Sequence, residues 1–132
     1  MGFEFLSVEE VLALHATQLA RYGGQPGVRD AGLLASAVAV PQATFDGAYL
    51  HEDLFAMAAA YAFHIAENQP FVDGNKRTGL MAALVFLALQ GIKVRDPERR
   101  LHDAMIALSW CTLGKPGLAT LLRELAGDAA PL

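Results

Sequence analysis

The sequence predicts an all-α protein, a single domain over residues 1–132 in which about six helices form a compact bundle around a buried central helix. Apolar residues recur at helical spacing along most of the chain, so strand content should be minimal. The chain is 54% hydrophobic and 18% charged, which is enough apolar material for a core. The run from Leu80 to Leu89 is apolar on every side, so we expect its helix to lie in the middle of the bundle.

The N-terminal part of the chain predicts two helices and an irregular connection. Ser7 and Glu10 form a capping-box signature for a first helix, which ends at the glycine pair 23–24. After a loop rich in Gly and Pro, Asp30 caps a short second helix. Residues 42–50 have weak helical character and are compatible with a loop or with a short β-hairpin.

The C-terminal part predicts four more helices. Two of them should span about 52–68 and about 75–90. Asp96-Pro97 opens a fifth helix, and a sixth starts near Pro116. The single cysteine, Cys111, falls within an apolar helical pattern and is expected to be a small buried residue. The tail beyond Gly127 should be frayed.

Composition and charge argue against a protein that binds nucleic acids and against a membrane protein. The net charge is −4 and the basic residues are scattered. Proteins that bind nucleic acids carry a basic surface, so direct binding of DNA or RNA is not expected. The longest apolar run is about half the length needed to cross a bilayer, and the N-terminus lacks the pattern of a signal peptide. We therefore expect no membrane association and a cytoplasmic location.

Polar residues crowd into one otherwise apolar region, the segment 68–79 with the sequence NQPFVDGNKRTG. Gly74 permits the backbone angles of an anion-binding nest, and the segment leads into a helix N-terminus, where free N–H groups attract phosphate. Asn75 is a natural N-cap for that helix. Lys76 and Arg77 oppose the helix dipole, and a bound anion would relieve this conflict.

The same segment offers a metal ligand, because Asp73 supplies a hard oxygen suited to Mg²⁺. An interhelical loop with surface charges is the simpler interpretation of such a segment. Its position before the most apolar helix favours phosphate binding instead. A Walker loop is excluded, because GNKRT lacks the first glycine at the required spacing.

The residues FVDGNKRTG closely resemble the Fic/Doc signature, HPFxxGN(G or K)R. Upstream, RYGGQPGVRDAGLLASAVAVPQATFDG is similar to the N-terminal half of death-on-curing (Doc) toxins. The resemblance covers nearly the whole chain. Lys76 stands in place of the second motif glycine, which points to the Doc branch of the family.

This resemblance implies ATP and Mg²⁺ as cofactors. Asp73 takes the position of the family's metal ligand, and Gln69, Lys76 and Arg77 take the positions of catalytic residues. Backbone N–H groups from about Val72 to Lys76 would form an anion hole. The implied nucleotide- and phosphate-binding positions are Phe71, Val72, Gly74, Asn75, Lys76 and Arg77.

The resemblance also implies a reaction and partners. In Fic enzymes a Gly-x-Gly turn accepts the α-phosphate and AMP is transferred. In Doc-like proteins a lysine fills that space, and the γ-phosphate moves to a hydroxyl of a translation elongation factor. Lys76 therefore implies a toxin that phosphorylates a factor like elongation factor Tu, with AMP transfer as the alternative. A separate antitoxin would inhibit it in trans, and residues 42–50 match the flap that aligns the target.

One position departs from the family. The histidine that acts as general base falls on Gln69, and an amide does not accept a proton near neutral pH. Losing a general base costs roughly a hundred- to ten-thousand-fold in rate. His64, on the preceding helix, does not have the spacing to replace it. An active phosphotransferase and a catalytically impaired protein that still binds nucleotide or partner are both compatible with Gln69.

Overall fold

The computed structural model describes residues 3–127 and confirms the all-α bundle with a small hairpin. A 3-10 turn over Val40–Gln42 extends the second helix. The hairpin consists of β1 (Thr44–Phe45) and β2 (Ala48–Tyr49). The helices are α1 (Val8–Tyr22), α2 (Ala31–Ala39), α3 (Leu54–Asn68), α4 (Asn75–Leu89), α5 (Arg100–Ser109) and α6 (Lys115–Ala126).

The predicted caps of the first two helices are confirmed. The Ser7 hydroxyl accepts from the Glu10 amide at 3.1 Å, and the Glu10 carboxylate accepts from the Ser7 amide at 2.8 Å. Asp30 caps α2 by accepting from the Leu33 amide at 2.9 Å. These bonds satisfy first-turn N–H groups that have no acceptor inside the helix.

Within the irregular segment 42–50, residues 44–49 form a hairpin rather than a loop. Thr44 pairs with Tyr49 and Phe45 with Ala48 in an antiparallel register. The two turn residues, Asp46 and Gly47, both have positive φ, 54° and 82°. Two consecutive positive φ values are typical of the tight turns that join antiparallel strands.

The buried central helix is α3, so the prediction that α4 takes this place is wrong. Every residue of α3 from Met57 to Ala62 is buried, and α6, α4 and α2 all contact it. The C-terminal end of α4 is open to solvent, where Leu89 is 41% exposed. Small residues allow α4 to pack closely on α3. A Cβ on Gly79 of α4 would lie 2.8 Å from the Ala62 carbonyl oxygen, which is too close for any larger residue. The two helices therefore pack backbone against backbone at this point.

The C-terminal helices agree with the predicted pattern, but their ends differ. Asp96 caps α5 by accepting from the amides of Arg100 and Leu101, so the helix begins after the Asp-Pro pair. Cys111 is exposed and has φ 60°, so the prediction of a buried helical cysteine is wrong. The α5 helix has already ended at Ser109. The predicted fraying beyond Gly127 lies outside the described residues.

None of the helices in the described part of the chain is both long and apolar enough to span a membrane.

Candidate functional site

The site is built where α3 ends and α4 begins. Gln69 terminates α3 in the left-handed conformation, with φ 48° and ψ 56°. Gly74, with φ 79°, is the N-cap of α4 and turns the chain into the new helix. The predicted N-cap, Asn75, is instead the first helical residue, and its side chain does not cap.

The side chain of Asn75 stabilises the loop through two hydrogen bonds. Its Oδ1 accepts from the Phe71 amide at 3.0 Å, and its Nδ2 donates to the Phe71 carbonyl oxygen at 3.0 Å. Both polar groups of the side chain are therefore engaged by the backbone of the loop. The side chain fixes the shape of the turn, and the second N–H of Nδ2 stays available among the described residues.

The first-turn amides of α4 point out of the helix end. Asn75, Lys76 and Arg77 have no acceptor inside the helix, since the first intrahelical bond in this turn runs from Thr78 to the Gly74 oxygen. Within residues 3–127 no other hydrogen bond engages these amides. Free amides together with the positive end of the helix dipole can bind an anion.

These amides open onto a cavity of about 360 Å³. Helix α3 contributes Ala66 to its lining, and α5 contributes Ser109. The structure thus brings together most of the residues singled out in the sequence. They are Gln69, Val72, Asp73, Gly74, Asn75, Lys76 and Arg77.

Asp73 presents an exposed carboxylate at this cavity. Its Oδ2 accepts from the Gln25 amide at 3.2 Å, and its Oδ1 accepts from the Gly74 amide at 2.9 Å. These two hydrogen bonds lower the pKa of Asp73, so the carboxylate is ionised at neutral pH. Each oxygen accepts one bond among the described residues and keeps a lone pair, so the carboxylate fits the oxygen ligands that Mg²⁺ prefers.

Arg77 is held at the edge of the cavity by the loop after α1. Its Nη2 donates to the Gly23 carbonyl oxygen at 3.1 Å, and its guanidinium lies 5.3 Å from the centre of the Tyr22 ring. Lys76 is exposed at the same cavity. The Arg77 guanidinium therefore lies against the C-terminal end of α1.

Two of the predicted nucleotide-binding residues, Phe71 and Val72, use a side chain or an amide in contacts outside the cavity. The Phe71 side chain is 1% exposed and belongs to the core, so it does not line the cavity. The Val72 amide donates to the Gly27 carbonyl oxygen at 3.0 Å and is not free for an anion. The Val72 side chain does line the cavity.

Sequence reasoning missed the role of His15. The ring of His15 stacks on Phe71, with 3.8 Å between ring centres, and is 6% exposed. Its Nε2 lies 2.8 Å from the Asp73 carbonyl oxygen. Because a carbonyl only accepts, Nε2 carries the proton and donates. His15 thus holds the main chain at Asp73, and its place in the apolar stripe of α1 was the available signal.

His64 does not substitute for the missing histidine. Its Nε2 lies 2.9 Å from the Lys115 Nζ, and His51 Nε2 lies 3.4 Å from the same ammonium. Burial, followed by the charge of Lys115, lowers the pKa of His64 to about 4. The imidazole is therefore neutral, packed between α3 and α6, and does not line the cavity.

A model of the Fic/DOC family matches residues 5–87, which include the whole loop and all but the last two residues of α4. The chain belongs to the Fic/DOC family. It is 38% identical to the protein kinase doc of Escherichia phage P1, over 94% of this chain and 97% of that protein. It is 41% identical to the toxin Doc of Mycolicibacterium smegmatis, over 96% of this chain and 95% of that protein. Both relatives are named Doc, which confirms the prediction from Lys76 that this chain belongs to the Doc branch.

Proposed function

We propose that this chain is a Doc-like toxin that transfers the γ-phosphate of ATP to a hydroxyl of a translation factor, with elongation factor Tu as the expected target. The proposal is supported by the two similar proteins, one described as a protein kinase and the other as a toxin. It is also supported by the chemistry of the cavity. The similarity extends over nearly the full length of both relatives.

The observation that carries the proposal is the geometry at the start of α4. Free amides of Asn75, Lys76 and Arg77 share one cavity with the Asp73 carboxylate and with residue 69. Phosphoryl transfer depends mainly on positioning and on neutralising charge, and these groups supply both. A cavity that served only as a crevice between helices would not require a carboxylate beside an anion-binding helix end.

Each group has a distinct task in this proposal. The amides bind and orient the phosphate oxygens, and Lys76 and Arg77 neutralise their charge. Asp73 would hold Mg²⁺, which when bound neutralises the phosphates and orients them. Lys76 takes up the space of the second motif glycine, and this favours phosphate transfer over AMP transfer. Gln69 can orient the target hydroxyl by hydrogen bonding.

Gln69 sets the expected rate and motivates a second candidate function. Without a general base the hydroxyl proton passes to water, so transfer is expected to be slow. The described residues around the cavity include no histidine, and the Asp73 carboxylate is assigned to the metal. The second candidate is accordingly a protein that keeps nucleotide or partner binding but has lost useful catalysis.

We further propose inhibition by a separate antitoxin. In the family, a self-inhibitory helix has the pattern [ST]-x-x-x-E-[GN]. Here Thr120 and Glu124 match it, but Leu125 breaks it. Inhibition would therefore come from another chain that covers the cavity.

The test is incubation of elongation factor Tu with Mg·ATP and either the native chain or its Gln69→His variant, followed by intact-mass spectrometry. Gln69→Asn is the matched control, since it changes the same side chain without adding a proton acceptor. Asp73→Asn tests the metal position. We expect a phosphate-sized gain that is fast with Gln69→His, slow with the native chain and absent with Asp73→Asn.

Three other results would change the proposal. A gain only with Gln69→His would favour the second candidate, an intact site that lacks its base. An AMP-sized gain would contradict the role given to Lys76. If no variant modifies the factor, the expected target is wrong.

A further inference from the structure

Residue 69 has a backbone conformation that its own sequence does not favour. Gln69 lies in the left-handed region, which is unfavourable for residues with a Cβ. Pro70 follows it, and a proline drives the residue before it toward an extended conformation. Contacts from outside the segment must therefore hold Gln69 in place, and such outliers occur where function requires them.

Those contacts come from Arg29, in the loop between α1 and α2. Its Nε donates to the Gln69 carbonyl oxygen at 2.7 Å, and its Nη2 donates to the Asn68 carbonyl oxygen at 2.8 Å. A guanidinium is planar and rigid, so two such bonds fix the relative orientation of the two peptide units that flank residue 69. The last carbonyls of a helix have no donor inside the helix and attract cations, so the end of α3 suits this contact.

The main chain of the same loop holds the next residue. The amides of Arg29 and Asp30 donate to the Pro70 carbonyl oxygen at 2.6 and 3.0 Å. Val28 and Phe71 form an antiparallel bridge beside them. These backbone bonds do not depend on the Arg29 side chain. Removing that side chain should therefore release the peptide units at residues 68 and 69 while the loop stays docked.

We infer that Arg29 is a positioning residue, which holds residue 69 in the left-handed conformation that places its side chain in the cavity. Arg29 does not line the cavity, so it acts through residue 69 and not on the phosphate. Its effect on catalysis rests on the proposed function. Its effect on the conformation of residue 69 does not, and the two are measured separately.

The first measurement is the conformation of residues 68–70, read from backbone NMR chemical shifts in the native chain, Arg29→Ala and Arg29→Lys. The matched control is Arg21→Ala, which removes another exposed arginine, from the last turn of α1. We expect residue 69 to leave the left-handed conformation in Arg29→Ala and to stay in it in Arg21→Ala. Arg29→Lys keeps the charge but loses the rigid fork, so we expect a mixture of both conformations.

The second measurement is phosphate transfer with Gln69→His as the background, in which residue 69 can act as a base. Adding Arg29→Ala should lower kcat by about ten- to a hundredfold, the cost of misplacing a catalytic group. The KM for ATP should change by less than about twofold, because the amides that bind phosphate are untouched. Arg29→Lys should recover part of the rate, and Arg21→Ala should have no effect.

Unchanged shifts at residue 69 in Arg29→Ala would overturn the inference, whatever the rates are. Altered shifts with an unchanged kcat would refute the positioning role. If Gln69→His itself transfers no phosphate to the factor, the proposed function fails for that target, and the chemical shifts alone then decide whether Arg29 holds residue 69. If Arg29→Ala does not fold, Arg29→Lys carries the same test, and its native-like shifts and rate would overturn the inference.

Discussion

Gly24→Ala should weaken Mg²⁺ binding without replacing any proposed ligand. A Cβ on Gly24 would lie 2.9 Å from Asp73 Oδ2 and 2.9 Å from Leu19 Cδ2. Ordinary contact begins near 3.4 Å, so the carboxylate must withdraw by about 0.5 Å. Mg²⁺ demands nearly ideal octahedral geometry, and disturbing the surroundings of a metal ligand typically costs roughly 10–100-fold in metal affinity. We expect a loss of that size.

The assay is a titration with MgCl₂ at fixed ATP, followed through the rise in melting temperature. Gly91→Ala is the control for backbone strain, because Gly91 has φ 86° and a Cβ there would meet nothing within 4 Å. Both substitutions place an alanine at a positive φ, which should cost each variant about 1–2 kcal/mol in stability, and Gly24→Ala adds the close contact with Leu19. Only Gly24→Ala should need more Mg²⁺. An unchanged Mg²⁺ dependence in Gly24→Ala would refute the placement of the ion at Asp73.

Three further perturbations test the structure around the site. His15→Phe keeps a ring for stacking but removes the donor to the Asp73 carbonyl oxygen, and we expect about 1–2 kcal/mol less stability in urea denaturation. Equal stability would show that this bond contributes nothing. Gly79→Ala forces α4 away from the Ala62 carbonyl oxygen, so it should cost about 1–2 kcal/mol despite its helix propensity. A gain in stability would contradict the close packing. The pKa of His64 is about 4 in the folded chain and 6.5 in the reference state, so the unfolded chain binds more protons between these values. The free energy of unfolding should therefore fall as pH falls from 6.5 toward 4. His64→Gln should reduce this pH dependence, and an identical pH profile in the variant would refute the lowered pKa of His64.

Local signals in the sequence predicted most of the fold. Capping residues such as Ser7 and Asp30 act on amides only a few positions away, so their effect can be read from spacing alone. Local spacing could not show which helix lies at the centre of the bundle. Hydrophobicity placed α4 at the centre, but the alanines of α3 and Gly79 of α4 allow the backbones to approach closely. The distance between two helix backbones depends on the size of the side chains between them, and a count of apolar residues does not measure that size.

The candidate site was predicted as a segment, and the structure adds the residues that support it. Gly74 and Asp73 follow from local chemistry, since both lie in one short loop. His15 and Arg29 reach that loop from far away in the chain, so no spacing within the segment could reveal their contacts with it. Cys111 was predicted to be buried because the apolar pattern runs through it, yet the helix ends just before it.

The most direct test of the central claim is a crystal structure of the chain with Mg²⁺ and a non-hydrolysable ATP analogue. The account predicts the γ-phosphate at the amides of Asn75, Lys76 and Arg77, with the ion on Asp73. An α-phosphate in that place would indicate AMP transfer instead. A nucleotide bound elsewhere, with these amides left free, would contradict the account.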